Sequence, residues 1–572
     1  MQRIKYFYKV ITSILLSVLF LFIIAFSSCS ITIDGHTYFN LSKVQYEAVD
    51  DTKLNDTLTA AEALSKKIAV LGVEDLNSTN GVAQAALFLS FLSTLSEELN
   101  NYASSFVIAR LIYFKDTSNA EMANTYATLM EKYSDYYNRY ISILGNIVDS
   151  PFGSQLSEKD VNYIKKQSAL SNNELFVSKQ KQMTQLSNEY IALYNTRSYK
   201  GYTQDEVLDI AGRLIQLAKV ANESIAETSY SSYAEYAYDV NFERGFSPQQ
   251  ASIMSNYVKE YLSPLYSRMS DFTVEELTAL SSLGTKIVTA YSTKQQTINL
   301  LFKDEIKEYA NEMGGTMPKA FDYLNACELY QVGDKPTSHT GGHTAIIPSY
   351  NAPYIYLALK NSYSDMISFV HEFGHFNAIY ADSPNTNNYD IAEIHSQGNE
   401  FLFMDAYNKI GGAALKKGML KASLKSNIVY ALNMGCLMDE LQQYVYANAD
   451  TLTPQDVCDK QEQLLVEYSL TAKVAEDPSF KYFWAAIPHT FEDPFYYISY
   501  AASLIPALEL FELSESGKEP KLSKHTTTLL VQMSRTMTLY LEAPVLADLF
   551  LLKPILVLEM PFFVTQHNFA SF

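Results

Sequence analysis

Cysteine is scarce in this chain, with only four in 572 residues. Cys29 lies near the N-terminus, and the other three, Cys327, Cys436 and Cys458, are scattered and odd in number. This spacing excludes both a disulfide framework and a CxxC zinc knuckle. We therefore expect the three internal cysteines to be buried as small apolar residues.

Positive charge is also in short supply. Lys and Arg number 43 against 63 Asp and Glu, which gives a formal net charge of −20. Because this charge repels phosphate backbones and anionic lipid headgroups, nucleic acid is not expected as a partner. The rest of the composition, with 48% hydrophobic and 19% charged residues, is typical of a globular protein and excludes disorder over most of the length.

The N-terminus has the layout of an export signal. Arg3, Lys5 and Lys9 precede an apolar run over residues 11–25. The segment Phe26-Ser27-Ser28-Cys29 resembles the lipobox of bacterial lipoproteins, in which the cysteine is lipidated. The alternative is an uncleaved anchor helix, since the run is only slightly shorter than the ~20 residues that span a bilayer. Both alternatives predict an extracytoplasmic, membrane-anchored protein. The lipoprotein interpretation, in which residues 1–28 are the signal peptide, is favoured.

The remaining chain divides into three regions. Residues 29–56 are interpreted as a linker or short hairpin with a turn at Asp34-Gly35, and residues 57–330 as an N-terminal helical lobe. A tyrosine stripe in this lobe, from Tyr133 to Tyr140, favours packing over a peptide groove. Residues 331–572 are the catalytic region, with two short strands expected between Thr344 and Leu357 and two helices over Asp365–Tyr380 and Asp390–Tyr407.

The first of these helices carries the motif His371-Glu372-Phe373-Gly374-His375. On a helix, the i, i+4 spacing puts both imidazoles on one face, where they can bind one zinc ion. Glu372 projects beside that face and is the candidate base for a metal-activated water. The motif lies within an amphipathic helical pattern, which favours this interpretation over two histidines satisfied by neighbours in the core.

A catalytic zinc site needs a third protein ligand and one open position. The metzincin pattern would require Gly and His where Ala378 and Ala381 stand, so that pattern is excluded. The second helix offers Glu393 as the ligand, with Asp390 and Glu400 expected to orient the histidines through their second ring nitrogens. The alternative for these acids is a solvated helix face. His395, two residues from the ligand, is expected to pack.

These residues resemble the thimet oligopeptidase and oligoendopeptidase F family of zinc metallopeptidases. The resemblance rests on HEFGH, on the segment AEIHSQGNE, and on a block from Pro488 to Ala501. In that block, His489, Tyr497 and Tyr500 match family positions that stabilise the oxyanion and hold the substrate. An aromatic-rich helix start is the alternative for this block.

The resemblance implies a mainly α, two-lobed helical metallopeptidase with a deep substrate channel and a small active-site β-sheet. It implies one Zn²⁺ ion and the cleavage of short unstructured peptides, whose backbone pairs with the sheet edge. A monomer is expected. The family pattern is not followed everywhere: the turn between Tyr380 and Glu393 is short, and Phe491-Glu492-Asp493-Pro494 replaces a glycine-rich loop. The ending is atypical from about residue 522.

The function therefore predicted is a zinc-dependent endopeptidase. Two alternatives stay open at this point. A dipeptidyl carboxypeptidase would share the ligands but bind a free C-terminal carboxylate, and a catalytically inactive lipoprotein would only bind peptides. His339 and His343, a second i, i+4 pair in a glycine-containing loop, are interpreted as substrate-contacting residues.

Overall fold

The computed structural model describes residues 31–33, 36–38 and 50–515, apart from short gaps at 73–74, 76–77, 152–157, 195–197, 265, 267–268, 270, 294–297, 334, 360–363, 382–387 and 407–411. The export signal, Cys29 and the atypical ending lie outside the described residues and stay predictions. Among the described helices, none has the length and apolarity needed to cross a bilayer.

Two short strands begin the described part of the chain. Strand β1 (Ile31–Ile33) pairs antiparallel with β2 (His36–Tyr38). This pairing agrees with the hairpin alternative for residues 29–56. The His36 ring stacks 3.9 Å from the ring of Tyr380, so the pair packs on the end of the helix that carries the metal motif.

The first half of the chain is helical. Its helices are α1 (Thr52–Ile68), α2 (Thr79–Lys115), α3 (Ala120–Ile147), α4 (Glu158–Ser171), α5 (Glu174–Tyr194), α6 (Gln204–Ser224), α7 (Tyr233–Tyr236), α8 (Pro248–Tyr257), α9 (Val274–Thr293), α10 (Ile298–Met313) and α11 (Met317–Ala326). One turn of π-helix follows α7 (Ala237–Asn241) and another follows α8 (Val258–Leu262).

Side-chain caps start several of these helices. The Thr203 hydroxyl accepts a hydrogen bond from the Glu206 amide, and the Glu206 carboxylate accepts one from the Thr203 amide, so both free donors are satisfied. Helices α1, α2 and α3 enclose a small apolar cluster of their own, which includes Leu58 and Phe88. Tyr133 stacks on Phe106 beside this cluster, as the packing interpretation of the tyrosine stripe predicts.

A three-stranded sheet introduces the second half. Its strands are β3 (Tyr330–Gly333), β4 (Gly342–Ile347) and β5 (Ala352–Ala358), in the order β3-β5-β4. Strand β5 is parallel to β3 and antiparallel to β4, so β4 is an edge strand. The two predicted strands are present, whereas β3 was not predicted because four residues with one buried position carry little periodicity.

Helices α12 (Ser364–Tyr380) and α13 (Tyr389–Ala406) follow, within one residue of the predicted bounds. The rest of the described chain consists of α14 (Ala413–Asn427), a π-helical turn (Ile428–Asn433), α15 (Met434–Asn448), α16 (Pro454–Glu467), α17 (Thr471–Glu476), a 3₁₀ segment (Pro478–Ala486), α18 (His489–Glu492) and α19 (Ile498–Glu515). The predicted mainly helical fold with a small sheet is confirmed. The three internal cysteines are buried and free, as predicted.

Helices α12 and α13 are in close contact at Gly374. A Cβ on this glycine would lie 2.6 Å from the His395 carbonyl oxygen and 2.9 Å from the Ser396 Cα. The Asn399 side chain also donates a hydrogen bond to the Val370 carbonyl, with an N to O distance of 2.7 Å. The missing side chain therefore sets the distance between the two helices that carry the candidate ligands.

Gly374→Ala tests this contact. The added methyl group forces the backbones of α12 and α13 apart, and we expect the free energy of unfolding to fall by about 1–3 kcal/mol. Gly284→Ala within α9 is the matched control, because its Cβ meets nothing within 4 Å; this variant is expected to gain up to about 1 kcal/mol from helix propensity. Urea denaturation measures both changes. Equal stability of Gly374→Ala and the parent protein would contradict the close contact.

Candidate metal centre and active site

His371 and His375 lie on one face of α12. Their ring centroids are 5.1 Å apart, and their side chains are 20% and 17% exposed. A helix that carries histidines four residues apart presents both rings to the same point. The rings are thus held together in a partly open position, as the motif predicts.

Glu393 on α13 completes a cluster of three ligand-type groups. Its Oε2 lies 3.3 Å from His371 Nε2 and 3.5 Å from His375 Nε2, and all three ligand atoms lie within 4.8 Å of one another. In a tetrahedral zinc site with bonds of about 2.1 Å, neighbouring ligands lie roughly 3.4 Å apart. The observed spacing therefore fits a single zinc ion.

The Glu393 carboxylate is held by two hydroxyl groups. Tyr496 donates to Oε1 at 2.7 Å, and Ser396 donates to Oε2 at 2.8 Å. Burial acts against the ionised form, but the neighbouring His375 and His371 hold the pKa of Glu393 well below its usual range. The two hydroxyl donors also favour the ionised form of the carboxylate.

Tyr496 was not among the predicted site residues. The resemblance directed attention to Tyr497 and Tyr500, and nothing in the spacing of the adjacent tyrosines indicates which of them reaches α13. The bond to Glu393 joins residues 103 positions apart. It is a tertiary contact, which local sequence patterns do not report.

Glu400 orients the first histidine. Its Oε1 lies 2.7 Å from His371 Nδ1, which leaves Nε2 of the same ring directed at Glu393. A carboxylate on the second ring nitrogen fixes the orientation of a ligand histidine and raises its basicity. This is the contact predicted for Glu400.

Asp390 has a different partner from the one predicted. Its Oδ1 lies 3.3 Å from Arg244 Nε, and both side chains are buried. Among the described contacts of Asp390 there is no bond to His371 or His375. Asp390 lies about one turn before Glu393 on the same face of α13, but its partner is Arg244, which comes from the first half of the chain.

Glu372, the candidate base, lies under strand β4. The Thr344 hydroxyl donates to its Oε2 at 2.7 Å, and a Cβ on Gly342 would lie 3.2 Å from its Oε1. Burial raises the pKa of Glu372, although the two histidines and Thr344 act in the opposite direction. The pKa of a general base is most useful when it is raised toward the working pH. Thr344 was predicted as part of a strand but not as a partner of Glu372.

The segment from His489 to Tyr500 faces the same centre. The Tyr500 hydroxyl lies 3.4 Å from His489 Nε2, and the Tyr497 and Tyr500 rings are 5.1 Å apart. Gln442 bonds to this segment at two points. Its Oε1 accepts a hydrogen bond from the Phe495 amide at 3.0 Å, and its amide nitrogen donates to the Thr490 carbonyl at 3.4 Å. The three residues implied by the resemblance thus lie together.

A cavity of about 350 Å³ opens beside these groups. His371, Glu372, Glu400 and Tyr500 line one side of it, and apolar residues that include Met404 line another. The described lining residues do not include Tyr497 or any Lys or Arg. The cavity can therefore receive an uncharged side chain next to His371 and Glu372.

The other three histidines discussed above lie against protein atoms. His339 stacks on Phe114 with ring centroids 4.1 Å apart, and His343 meets the edge of the same ring. Burial lowers the pKa of His339 to about 4 and that of His343 well below its usual value, so both rings are neutral. Their predicted contact with substrate stays a prediction. His395 is buried, as expected for a packing residue.

Comparison with known families gives one match. Residues 331–529 match peptidase family M3. This segment contains the HEFGH motif, the α13 segment and the block with His489, so the predicted family resemblance is confirmed. No curated protein sequence matches the chain.

Solved structures match most of the chain. A protein assigned as an oligoendopeptidase F, solved at 3.1 Å, is 17% identical and has a TM-score of 0.73, covering 93% of this chain and 100% of its own. PZ peptidase A, solved with an inhibitor, is 17% identical with a TM-score of 0.65, covering 90% and 100%. A protein from Bacillus anthracis str. Ames, also assigned as an oligoendopeptidase F, is 16% identical with a TM-score of 0.63, covering 93% and 96%. At these identities the likeness shows a shared fold.

Glu400→Gln tests whether His371 needs its carboxylate. The amide keeps the size of the side chain but removes the charge that orients the ring, and we expect zinc affinity to fall about 10- to 100-fold. Competition with a chromophoric chelator measures the dissociation constant. Glu476→Gln, at the largely exposed pair with Lys473, is the control and should bind zinc like the parent. Unchanged affinity of Glu400→Gln would show that the bond to His371 does not support the metal site.

Proposed function

We propose that this chain, whose residues 331–529 belong to peptidase family M3, is a zinc-dependent endopeptidase that cleaves short unstructured peptides. This proposal rests mainly on one observation. His371 Nε2 and His375 Nε2 both lie close to one oxygen of Glu393, at distances that fit zinc. Glu372 follows the first of these histidines in the same helix. A metal set and an adjacent buried base are the parts that metal-assisted peptide hydrolysis requires.

Bound zinc supplies a Lewis acid that polarises the substrate carbonyl and activates a water molecule. Glu372 accepts the proton of that water and later delivers it to the leaving amine. The hydrogen bond from Thr344 keeps one Glu372 oxygen fixed, so the other oxygen is available for the proton. Burial keeps competing water away from the carboxylate.

Tyr500 and His489 are proposed to bind the carbonyl oxygen as it gains negative charge. Tyr500 lines the cavity beside His371, and its hydroxyl is within 3.4 Å of His489 Nε2. A preorganised donor at such a position is typically worth about 10²–10³ in kcat. Tyr497 packs on Tyr500 and is assigned to substrate holding, as the family resemblance implies.

Strand β4 supplies a route for the peptide backbone. It is one of the two edge strands of the sheet, and Gly342 at its start lies close to the Glu372 carboxylate. An extended peptide that adds to an edge strand gains main-chain hydrogen bonds whatever its sequence. A peptide aligned on β4 would thus pass directly beside the base, which supports an unstructured substrate.

An endopeptidase is favoured over a dipeptidyl carboxypeptidase by the cavity. An enzyme that measures two residues from a free C-terminus needs a cation close to the metal to bind the carboxylate. The described lining residues of the cavity contain no Lys or Arg. Its lining residues include Glu372 and Glu400, whose negative charge disfavours a terminal carboxylate.

Glu372→Gln separates catalysis from metal binding. The amide cannot accept the proton of water, so we expect zinc affinity to stay within about twofold of the parent while kcat falls by roughly 10²–10⁴. A fluorogenic peptide assay measures the rate, and treatment with a chelator should abolish parent activity. Equal rates for parent and variant would rule out Glu372 as the base. A parent protein that binds zinc and peptide but never cleaves would support the inactive, peptide-binding alternative.

Cleavage of matched peptides tests the choice between the two peptidase classes. One peptide is supplied with a free C-terminus and again with a C-terminal amide, and products are identified by mass spectrometry. We expect the same internal bonds to be cut in both, with rates within about threefold, because endopeptidase binding relies on backbone contacts. Release of dipeptides from the free peptide alone would establish the dipeptidyl carboxypeptidase instead.

A further inference from the structure

Arg244 is a buried residue that contacts the helix carrying Glu393. Its side chain is 0% exposed, and its guanidinium carbon lies 4.4 Å from the ring centroids of both Tyr238 and Phe242. A buried arginine needs paired donors and a compensating charge. Nε and Nη2 of Arg244 have hydrogen-bond partners, whereas Nη1 has none among the described residues. Because no solvent reaches it, Arg244 cannot touch a substrate, and any influence on the reaction must pass through other residues.

The backbone around Arg244 is unusual and fixed. A π-helical turn over Ala237–Asn241 precedes it, and Glu243 adopts a φ of 46°, which non-glycine residues rarely do. The Glu243 carbonyl accepts a hydrogen bond from the Asn388 side chain at 3.1 Å, just before α13. The loop is therefore anchored to the start of the helix that carries Glu393.

The guanidinium joins two separate parts of the site. Nε lies 3.3 Å from Asp390 Oδ1 in the first turn of α13. Nη2 donates to the Phe495 carbonyl at 2.9 Å and to the Ser499 hydroxyl at 2.8 Å. Planar guanidinium donors fix the direction as well as the distance of their partners.

The groups that bond to Arg244 lie near both the donor and the acceptor of the hydrogen bond from Tyr496 to Glu393. Phe495 and Ser499 flank Tyr496, the donor to Glu393, and Asp390 is one turn before Glu393, the acceptor. The turn of α13 before the candidate ligand Glu393 and the segment that carries the Tyr496 hydroxyl are thus both bonded to the same cation. Loss of that cation would let the tyrosine segment and α13 move independently.

We propose that Arg244 is a positioning residue which, by holding Asp390 and the Phe495–Ser499 segment together, keeps the Tyr496 hydroxyl on Glu393 and so tunes zinc affinity. This assignment rests on the proposed function for its use of zinc. It is testable without any substrate, because the affected quantity is metal binding.

The test is a double-mutant cycle on zinc affinity, read by chelator competition. Arg244→Lys keeps the charge but loses the planar fork, and Tyr496→Phe removes the hydroxyl. We expect each single variant to bind zinc about 10- to 100-fold more weakly. If Arg244 acts through Tyr496, the double variant should lose no more affinity than the weaker-binding single variant. Arg213→Lys, at the more exposed pair with Asp209, should bind zinc like the parent.

Two results would overturn the assignment: a folded Arg244→Lys variant with parental zinc affinity, or losses that multiply in the double variant. If Arg244→Lys does not fold, Ser499→Ala replaces it in the cycle, with the same expectation and the same contradicting results. If the parent protein binds zinc but cleaves no peptide, the proposed function is wrong, but the double-mutant cycle on zinc affinity can still be measured. A parent that binds no zinc defeats both.

Discussion

The polar side chains of α13 from Asp390 to Glu400 are buried, and the geometry of the rest of the site depends on the hydrogen bonds that they make. Residues 390–404 are all buried. A buried polar group without a partner costs about 1–3 kcal/mol, and most polar side chains of α13 have a partner, although Asp390 Oδ2 and His395 Nε2 have none among the described residues. The partners come from separate parts of the chain: Arg244 for Asp390, Tyr496 for Glu393, Tyr500 and Ser503 for Gln397, Val370 and Tyr309 for Asn399, and His371 for Glu400.

The packing of α12 against α13 also fixes where the three candidate ligands lie. The close contact at Gly374 sets the separation of α12 and α13, and the bond from Asn399 to Val370 sets their register. Once both are fixed, Glu393 faces the two histidines across a gap of the right width. The ligand set is therefore a property of two packed helices, and the tyrosine segment refines it.

Features that depend on neighbouring residues were predicted from the sequence, whereas contacts between segments far apart in the chain were missed. Helix bounds, the two histidines and Glu393 follow from periodicity and from ligand chemistry, and Glu400 follows from the same helical face. Asp390 shares that face too, yet its partner is an arginine from the first half of the chain, which no helical spacing indicates. Strand β3 and the contacts of Thr344 and Tyr496 were missed for the same reason: each depends on a pairing between segments that only the folded chain brings together.

The contacts around the site also differ in how much chain must be gathered to form them. His371 and Glu400 are 29 residues apart, whereas Glu393 and Tyr496 are separated by 103 and Arg244 and Asp390 by 146. Each doubling of a loop's length adds about 0.6 kcal/mol to the entropic cost of closing it. Closing the loop between Arg244 and Asp390 therefore costs roughly 1.4 kcal/mol more than closing the loop between His371 and Glu400. On loop-closure entropy alone, the contact between α12 and α13 is therefore easier to form than the contact that joins Arg244 to α13.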